Sequence, residues 1–152
     1  HLRLTQAWSY KYCQGENVTF PRGINVHADE AEVNVNFWIT ADAANEGQGS
    51  GGLIVYDKAA PTSMSFDDMN RDKKRIYEFL HAEGEFVGGT KSKYVEVPYK
   101  ANRIVIFEST LFHETGRLKF KKGFENSRIN LTFLFGGRPA TQTEYGCELC
   151  DR

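Results

Sequence analysis

Hydrophobic and polar residues alternate along much of the chain with a two-residue period. The clearest segment is 33–40, in which Val33, Val35, Phe37 and Ile39 alternate with polar or aromatic residues. Successive side chains of a β-strand point to opposite faces. The segment therefore predicts a strand with one packed face and one polar-to-aromatic face.

Other strands are predicted where β-branched and aromatic residues run between turns rich in glycine, proline or asparagine. They cover 2–12, 53–56, 94–99, 103–107 and a last hairpin made of 116–120 and 127–135. Many short strands with glycine-rich turns are typical of an antiparallel sandwich or barrel. The sequence thus predicts an all-β core.

A helical period replaces the strand period in residues 65–82. Apolar residues recur there at helical spacing: Met69, Ile76, Phe79 and Leu80. Ser65, followed three positions later by Asp68, resembles a capping box. We expect one amphipathic helix over 65–82, inserted in the β fold, with its charged face in solvent.

Length, charge and composition narrow the class of protein. The chain has 152 residues and a net charge of −1, which fits a single domain over 1–152 and gives no strong nucleic-acid signal. No apolar stretch approaches the roughly 18 residues of a membrane span, and no signal-peptide pattern is present. Cys13, Cys147 and Cys150 do not make a disulfide framework, and we interpret the lone CxxC as two reduced thiols. These features favour a cytoplasmic protein.

One imidazole and one carboxylate share a strand face near the start of the chain. His27 and Asp29 are two positions apart in an apolar run, so their side chains should project side by side. Such a pair suits a mid-series divalent metal, which needs a third protein ligand. Among the four histidines, His113 has the better context because it follows the strand 103–107. Two histidines and one carboxylate are the ligand set of non-haem Fe(II) oxygenases.

The last strand offers a partner for an acidic co-substrate. A 2-oxo acid that chelates a metal carries a second carboxylate, whose burial requires a partner. Arg128 can supply a bidentate guanidinium for it. With Ile129 and Leu131 on the opposite face, we expect Arg128, Asn130 and Thr132 to face inward together.

In these residues the chain resembles the Fe(II)/2-oxoglutarate-dependent dioxygenases, above all their phytanoyl-CoA dioxygenase-like and prolyl-hydroxylase-like branches. The resemblance covers residues 20–136 and rests on the following stretches: His27-Ala28-Asp29, Phe37-Trp38-Ile39-Thr40, the run 51–56, His113 and Arg128. It implies a double-stranded β-helix (jelly-roll) core with His27, Asp29 and His113 as ligands of Fe(II). It also implies that Arg128 pairs with the distal carboxylate of 2-oxoglutarate.

The activity implied by the resemblance is hydroxylation, in which 2-oxoglutarate and O₂ are consumed and succinate and CO₂ are released. The carboxylate of Asp29 favours hydroxylation over halogenation, because a small residue takes this position in the related halogenases. The substrate stays open between small molecules and amino-acid side chains, since loops at the barrel mouth select it. Family members usually carry additional N-terminal helices and strands, for which this chain has little room. A trimmed N-terminus or a partner that completes the fold stays open, as does the oligomeric state.

Further residues are expected in the co-substrate pocket. Asn130 shares the inward face of Arg128, and Asn36 and Trp38 share one face of the strand after the metal pair. Tyr10 or Tyr12 on the first strand could hydrogen-bond the co-substrate. A packing role is equally open for the aromatic residues, because buried Tyr and Trp commonly need polar partners in any case. The basic residues of the predicted hairpin are interpreted as a solvated turn: Arg117, Lys119, Lys121 and Lys122.

Other classes of protein stay open at this point. A cupin-type metalloprotein would typically show an HxH pair followed by a glutamate, which this sequence lacks. A non-catalytic jelly-roll binding module would keep the fold and a vestigial site. A copper site at His1 is disfavoured by the absent secretion pattern and by the unpaired cysteines.

Overall fold

The computed structural model describes residues 1–12, 23–62, 65–81 and 93–137. These ranges contain seven strands and two α-helices. The strands are β1 (Leu4–Tyr12), β2 (Val33–Trp38), β3 (Leu53–Ala59), β4 (Tyr94–Val97), β5 (Ile104–Glu108), β6 (Leu111–Thr115) and β7 (Arg128–Phe135). The helices are α1 (Phe66–Arg71) and α2 (Lys73–His81). The described part of the chain is therefore mostly β, as predicted; the three cysteines lie outside it.

The strands form two antiparallel sheets. One sheet has the order β1-β7-β2-β5 and the other has the order β4-β3-β6. The segment 24–29 extends the second sheet beyond β6, because His27 forms an antiparallel bridge with His113. The main-chain N–H of Thr115 also donates to the carbonyl of Ile24, at 2.9 Å. β2 and β3 are consecutive strands but lie in different sheets, and the same holds for β5 and β6.

The prediction of a last hairpin is wrong. Residues 116–120 form no strand with β7, which instead lies between β1 and β2. Phe120 forms an isolated bridge with Asn45. The alternation of this segment is real, since Leu118 and Phe120 are buried in the core, but it lacks the ladder of a strand. Its basic residues are exposed, as expected of a solvated turn: Arg117, Lys119, Lys121 and Lys122.

The helical region contains two helices where one was expected over 65–82. Asp72 separates α1 from α2, and its Oδ1 accepts the main-chain N–H of Arg75 at 3.1 Å. A side-chain acceptor at this position satisfies a free N–H group and starts a new helix. Ile76 and Leu80 form the buried face of α2, as the helical period predicts.

No helix in the described part of the chain has the length and apolarity needed to cross a membrane.

The described residues form two apolar clusters. One lies under α2 and consists of Val26, Ala28, Tyr56, Ala60, Ile76, Leu80 and Phe112. The other consists of Trp38, Ala44, Leu53, Tyr99, Leu118 and Phe120. The inward face of β7 is polar: Arg128, Asn130 and Thr132 are all buried. The inward direction predicted for these three residues is confirmed.

Candidate functional site

Three candidate metal ligands meet where segment 24–29 pairs with β6. His27, Asp29 and His113 each offer a ligand atom, and these atoms all lie within 4.8 Å of one another. Nε2 of His27 is 3.8 Å from Oδ1 of Asp29, and Nε2 of His113 is 3.4 Å from Oδ2. His113 lies on β6, a strand that the sequence analysis does not predict.

Main-chain carbonyls orient both imidazoles. Nδ1 of His27 lies 2.7 Å from the carbonyl oxygen of Asn25, and Nδ1 of His113 lies 2.9 Å from that of Leu111. A carbonyl oxygen only accepts hydrogen bonds, so Nδ1 of each ring carries a proton, and the neutral form of such an imidazole has its lone pair on Nε2. This tautomer, held by a carbonyl, is the one that metal-bound histidines commonly adopt.

The protonation states of the site also suit a cation. Burial lowers the pKa of His27 to about 4, and His113 adds to this effect while Asp29 opposes it. Burial alone would raise the pKa of Asp29, but the hydrogen bond and charge of His113, the charge of His27 and the hydrogen bond from Asn34 hold it below its ordinary value. At neutral pH His27 is therefore neutral and Asp29 is ionised, as metal coordination requires.

A chain of buried side-chain amides leads from Asp29 across the large sheet. Nδ2 of Asn34 donates to Oδ2 of Asp29 at 2.7 Å, and Nδ2 of Asn36 donates to Oδ1 of Asn34 at 2.6 Å. Asn130 on β7 continues the chain by donating to Oδ1 of Asn36 at 2.8 Å, and also contacts Thr132 Oγ1 at 2.8 Å. Because every link is buried, the network fixes the carboxylate of Asp29 in one orientation.

Arg128 is a buried cation in a cage of aromatic rings. Its guanidinium carbon lies 5.2, 5.7 and 5.8 Å from the ring centres of Tyr12, Trp38 and Tyr99. Nε donates to the carbonyl of Gly51, whereas Nη1 is buried without a hydrogen-bond partner among the described residues. No carboxylate of the described residues forms an ion pair with this side chain. Burial lowers the pKa of Arg128 to about 10, although Tyr12 and Tyr99 act in the opposite direction.

The candidate ligands and Arg128 line one cavity of about 570 Å³ between the sheets. Asn36, Asn130 and Tyr10 line it too, and their role in binding a co-substrate stays a prediction. Trp38 does not: it is fully buried in the core and stacks on Tyr99, with ring centres 5.3 Å apart. Both rings belong to the second apolar cluster. Trp38 therefore contacts the guanidinium of Arg128 with its ring face and does not reach the cavity.

Several residues of the site are missed by the sequence analysis. Asn34 donates a hydrogen bond to Asp29. It is two positions from Asn36 on β2, so the two-residue period places both side chains on the same face and could have identified Asn34. Trp8 and Gln6 line the cavity in the same row of β1 as Tyr10. Phe66 reaches the cavity from α1, a helix that the sequence pattern assigns only to packing.

Two solved structures are similar to this fold. The crystal structure of an N-substituted L-amino acid dioxygenase from Burkholderia ambifaria AMMD matches with a TM-score of 0.52 and 10% sequence identity, covering 91% of this chain and 58% of that one. The same kind of enzyme from that organism, in complex with alpha-KG (2-oxoglutarate), matches with a TM-score of 0.50 and 11% identity, covering 88% and 52%.

These similarities show a dioxygenase-like fold at very low sequence identity. The chain spans little more than half the length of either neighbour. No protein-family model matches the sequence. No curated protein sequence matches it.

Proposed function

We propose that the protein is a non-haem Fe(II)- and 2-oxoglutarate-dependent dioxygenase that hydroxylates its substrate and releases succinate and CO₂. One observation carries the proposal. A cavity of about 570 Å³ is lined both by the cluster of His27, Asp29 and His113 and by a buried Arg128 that has no carboxylate partner in the described ranges. The cluster suits a divalent metal, and the arginine suits the carboxylate of an acidic co-substrate.

In this proposal His27, Asp29 and His113 would hold Fe(II), since two imidazoles and one carboxylate are a ligand set that suits this ion. The bound metal would supply the redox chemistry that couples the oxidation of 2-oxoglutarate by O₂ to the oxidation of a substrate C–H bond. The protein supplies geometry: the carbonyls of Asn25 and Leu111 orient the imidazoles, and Asn34 orients the carboxylate.

Arg128 is proposed to bind the distal carboxylate of 2-oxoglutarate. Its Nη1 lacks a partner among the described residues, so an acceptor from a ligand would complete its hydrogen bonding. Tyr12, Trp38 and Tyr99 surround the guanidinium and keep water from competing with the carboxylate. Asn130 and Tyr10, which line the same cavity, offer an amide and a hydroxyl to the rest of the co-substrate.

We also propose that the two sheets are a jelly-roll within a single domain that includes the helical insertion. With segment 24–29 counted as a strand, the described ranges contain eight strands, which divide four and four between the sheets. Consecutive strands of this set lie in different sheets, except for β3 and β4, which are neighbours in the same sheet. Two facing four-stranded sheets of this kind are the architecture of a jelly-roll.

The substrate is the least constrained part of the proposal. The neighbouring structures are named as N-substituted L-amino acid dioxygenases, so small N-substituted amino acids are the first compounds to test. Membership of the phytanoyl-CoA dioxygenase-like or prolyl-hydroxylase-like branch stays a prediction.

The test is 2-oxoglutarate turnover in the absence of substrate. Succinate is measured with Fe(II) and 2-oxoglutarate, in air and anaerobically, for the wild type, His113→Ala and Arg128→Ala, with His81→Ala and Arg3→Ala as matched controls. We expect oxygen-dependent succinate that disappears in His113→Ala. The KM for 2-oxoglutarate should rise by at least about 30-fold in Arg128→Ala, because a buried ion pair loses one member. Both controls should behave as the wild type.

Binding is measured in the same samples because turnover without substrate can be slow. Tight binding of Fe(II) and 2-oxoglutarate that depends on His113 and Arg128 supports the proposal even when succinate is low. If the wild type binds neither compound, the protein is not a dioxygenase of this kind, and the jelly-roll binding module replaces it.

A further inference from the structure

We infer that Asn70, on α1, is a positioning residue for the metal ligands, because it fixes the main chain of Ala28 between His27 and Asp29. The inference rests on the proposed metal centre. It assigns to the helical insertion a role in the geometry of the site as well as in packing.

The contact between Asn70 and Ala28 involves both polar groups of each partner. Oδ1 of Asn70 accepts the main-chain N–H of Ala28 at 3.0 Å, and Nδ2 donates to the carbonyl of Ala28 at 3.0 Å. Nδ2 also contacts the carbonyl of Phe66 at 3.0 Å, which holds the amide on α1. A side chain thus takes the place that a neighbouring strand would occupy beside Ala28.

Segment 24–29 needs such a partner because, within the described ranges, it lies at the edge of its sheet. Its inner side pairs with β6 through the two-way hydrogen bond between His27 and His113. Ala28 itself is fully buried, and buried N–H and C=O groups left without partners are costly. Lys73, at the start of α2, covers the next position by donating from Nζ to the carbonyl of Val26 at 2.9 Å.

The helices are also attached to the strand that carries the other histidine. The hydroxyl of Tyr77 on α2 donates to one carboxylate oxygen of Glu114, and the hydroxyl of Tyr56 donates to the other, both at 2.7 Å. Glu114 follows His113 directly on β6. The helical pair therefore contacts the main chain between two ligands and the residue next to the third.

A change at Ala28 would move two ligands at once. The peptide groups on either side of Ala28 set the directions of the His27 and Asp29 side chains, which share one face of the segment. Without Asn70 the main chain between His27 and Asp29 would have more conformational freedom. Metal binding would then have to order this main chain, which would weaken the affinity. Loss of groups that orient ligands typically weakens metal affinity by about 10- to 100-fold.

The test uses the full chain and Co(II) alone, with its visible absorption bands as the spectroscopic signature of the site. Asn70→Leu removes both hydrogen bonds to Ala28, and the one to Phe66, at nearly constant size. Asn70→Asp keeps the acceptor and loses the donor. Leu118→Val, a buried substitution in the other apolar cluster, controls for a general loss of stability. The stability of each metal-free variant is measured in the same buffer.

We expect Asn70→Leu to bind Co(II) about 10-fold more weakly than the wild type and to shift the absorption bands of the bound ion. Leu118→Val, at a similar stability, should keep the wild-type affinity and bands. Asn70→Asp should also bind more weakly, although its added negative charge would by itself attract the cation. If Asn70→Leu does not fold, Asn70→Asp decides.

Two results overturn the inference, and they are distinct. Wild-type affinity and bands in the Asn70 variants, or an equal loss in Leu118→Val, would mean that Asn70 does not position the ligands. Absence of Co(II) binding in the wild type would remove the metal centre itself, and with it the proposed function.

Discussion

His27 and His113 face each other across the two strands that carry them, joined by a two-way main-chain hydrogen bond. The N–H of His27 donates to the carbonyl of His113 at 3.0 Å, and the N–H of His113 donates to the carbonyl of His27 at 2.8 Å. Their ring centres are 4.2 Å apart. A hydrogen-bonded antiparallel pair has a fixed Cα separation, so the sheet itself sets the distance between these two candidate ligands. Asp29 completes the group because it lies two residues after His27 and because the amide of Asn34 holds its carboxylate.

Asn34 provides the first prediction, because its amide holds the carboxylate of Asp29. Asn34→Ala removes the 2.7 Å hydrogen bond to Asp29 and leaves Nδ2 of Asn36 without its acceptor. We expect Co(II) affinity to fall about 10-fold and the free energy of unfolding to fall by about 1–3 kcal/mol. Metal titration and urea unfolding measure the two effects. Asn126→Ala, whose side chain does not line the cavity, is the control, and unchanged metal affinity in Asn34→Ala would contradict the prediction.

Arg128 provides a second prediction, in which stability and ligand binding separate. Its side chain is 2% exposed and has no carboxylate partner among the described residues. Because an uncompensated buried cation is costly, Arg128→Met should leave the free energy of unfolding within about 1 kcal/mol of wild type, despite the lost bond to Gly51. Binding of 2-oxoglutarate should weaken by at least about 30-fold.

Calorimetry for 2-oxoglutarate and urea unfolding of the same Arg128→Met sample test this separation, with Arg3→Met as control. A loss of stability of about 3 kcal/mol or more would show that the guanidinium serves the fold, as a member of a buried pair does.

The fold was predictable where a local pattern determines it. The alternation in 33–40 predicts β2, but the choice of its packed face is wrong. The polar-to-aromatic face, with Asn34, Asn36 and Trp38, is the buried one, whereas the face of Val33, Val35 and Phe37 is only partly buried. The helical period predicts the buried face of α2. The pairing of strands was not predictable, because alternation is the same whichever strand is the neighbour. Residues 116–120 show this well: they alternate, yet pair with the region of Asn45 and not with β7.

The candidate site follows the same rule. His27 and Asp29 could be placed on one face from their spacing, and Arg128 and Asn130 from theirs, since each pair is local. The meeting of His113 with His27 needs a long-range bridge that no local pattern contains. Asn70 illustrates the limit: its function depends on contacts with a main chain 42 residues away, and in the sequence it is one polar residue of a helix.

His27 leads to a prediction about pH. Its pKa is lowered from an ordinary 6.5 to about 4 by burial, so between these values the unfolded chain binds a proton that the folded chain does not. The metal-free protein should therefore lose stability as the pH falls from 6.5 to 4. The lowered pKa of Asp29 adds a further loss only below its ordinary value of 3.8.

Urea unfolding of metal-free wild type and His27→Gln at a series of pH values measures this effect. Between pH 6.5 and 4 the free energy of unfolding of the variant should depend less steeply on pH than that of the wild type, and the difference in slope should correspond to about one bound proton. Below pH 4 both proteins should lose stability. Equal slopes for the two proteins above pH 4 would contradict a buried, neutral imidazole at this position.

Glu114 joins α2 to β6 through two tyrosines, and this clamp gives a prediction on stability. Tyr77→Phe removes the 2.7 Å hydrogen bond to Oε2 and keeps the ring, which stacks on His81. Hydrogen bonds to a charged group contribute about 1.5–3 kcal/mol, so a loss near the lower end is expected for this partly exposed carboxylate. Tyr56→Phe should behave alike, and the two losses should not add, because both hydroxyls share one acceptor group. Urea unfolding of the two single variants and the double variant tests this, with the exposed Tyr94→Phe as control. Strict additivity would mean that the hydroxyls act independently and that Glu114 does not join them.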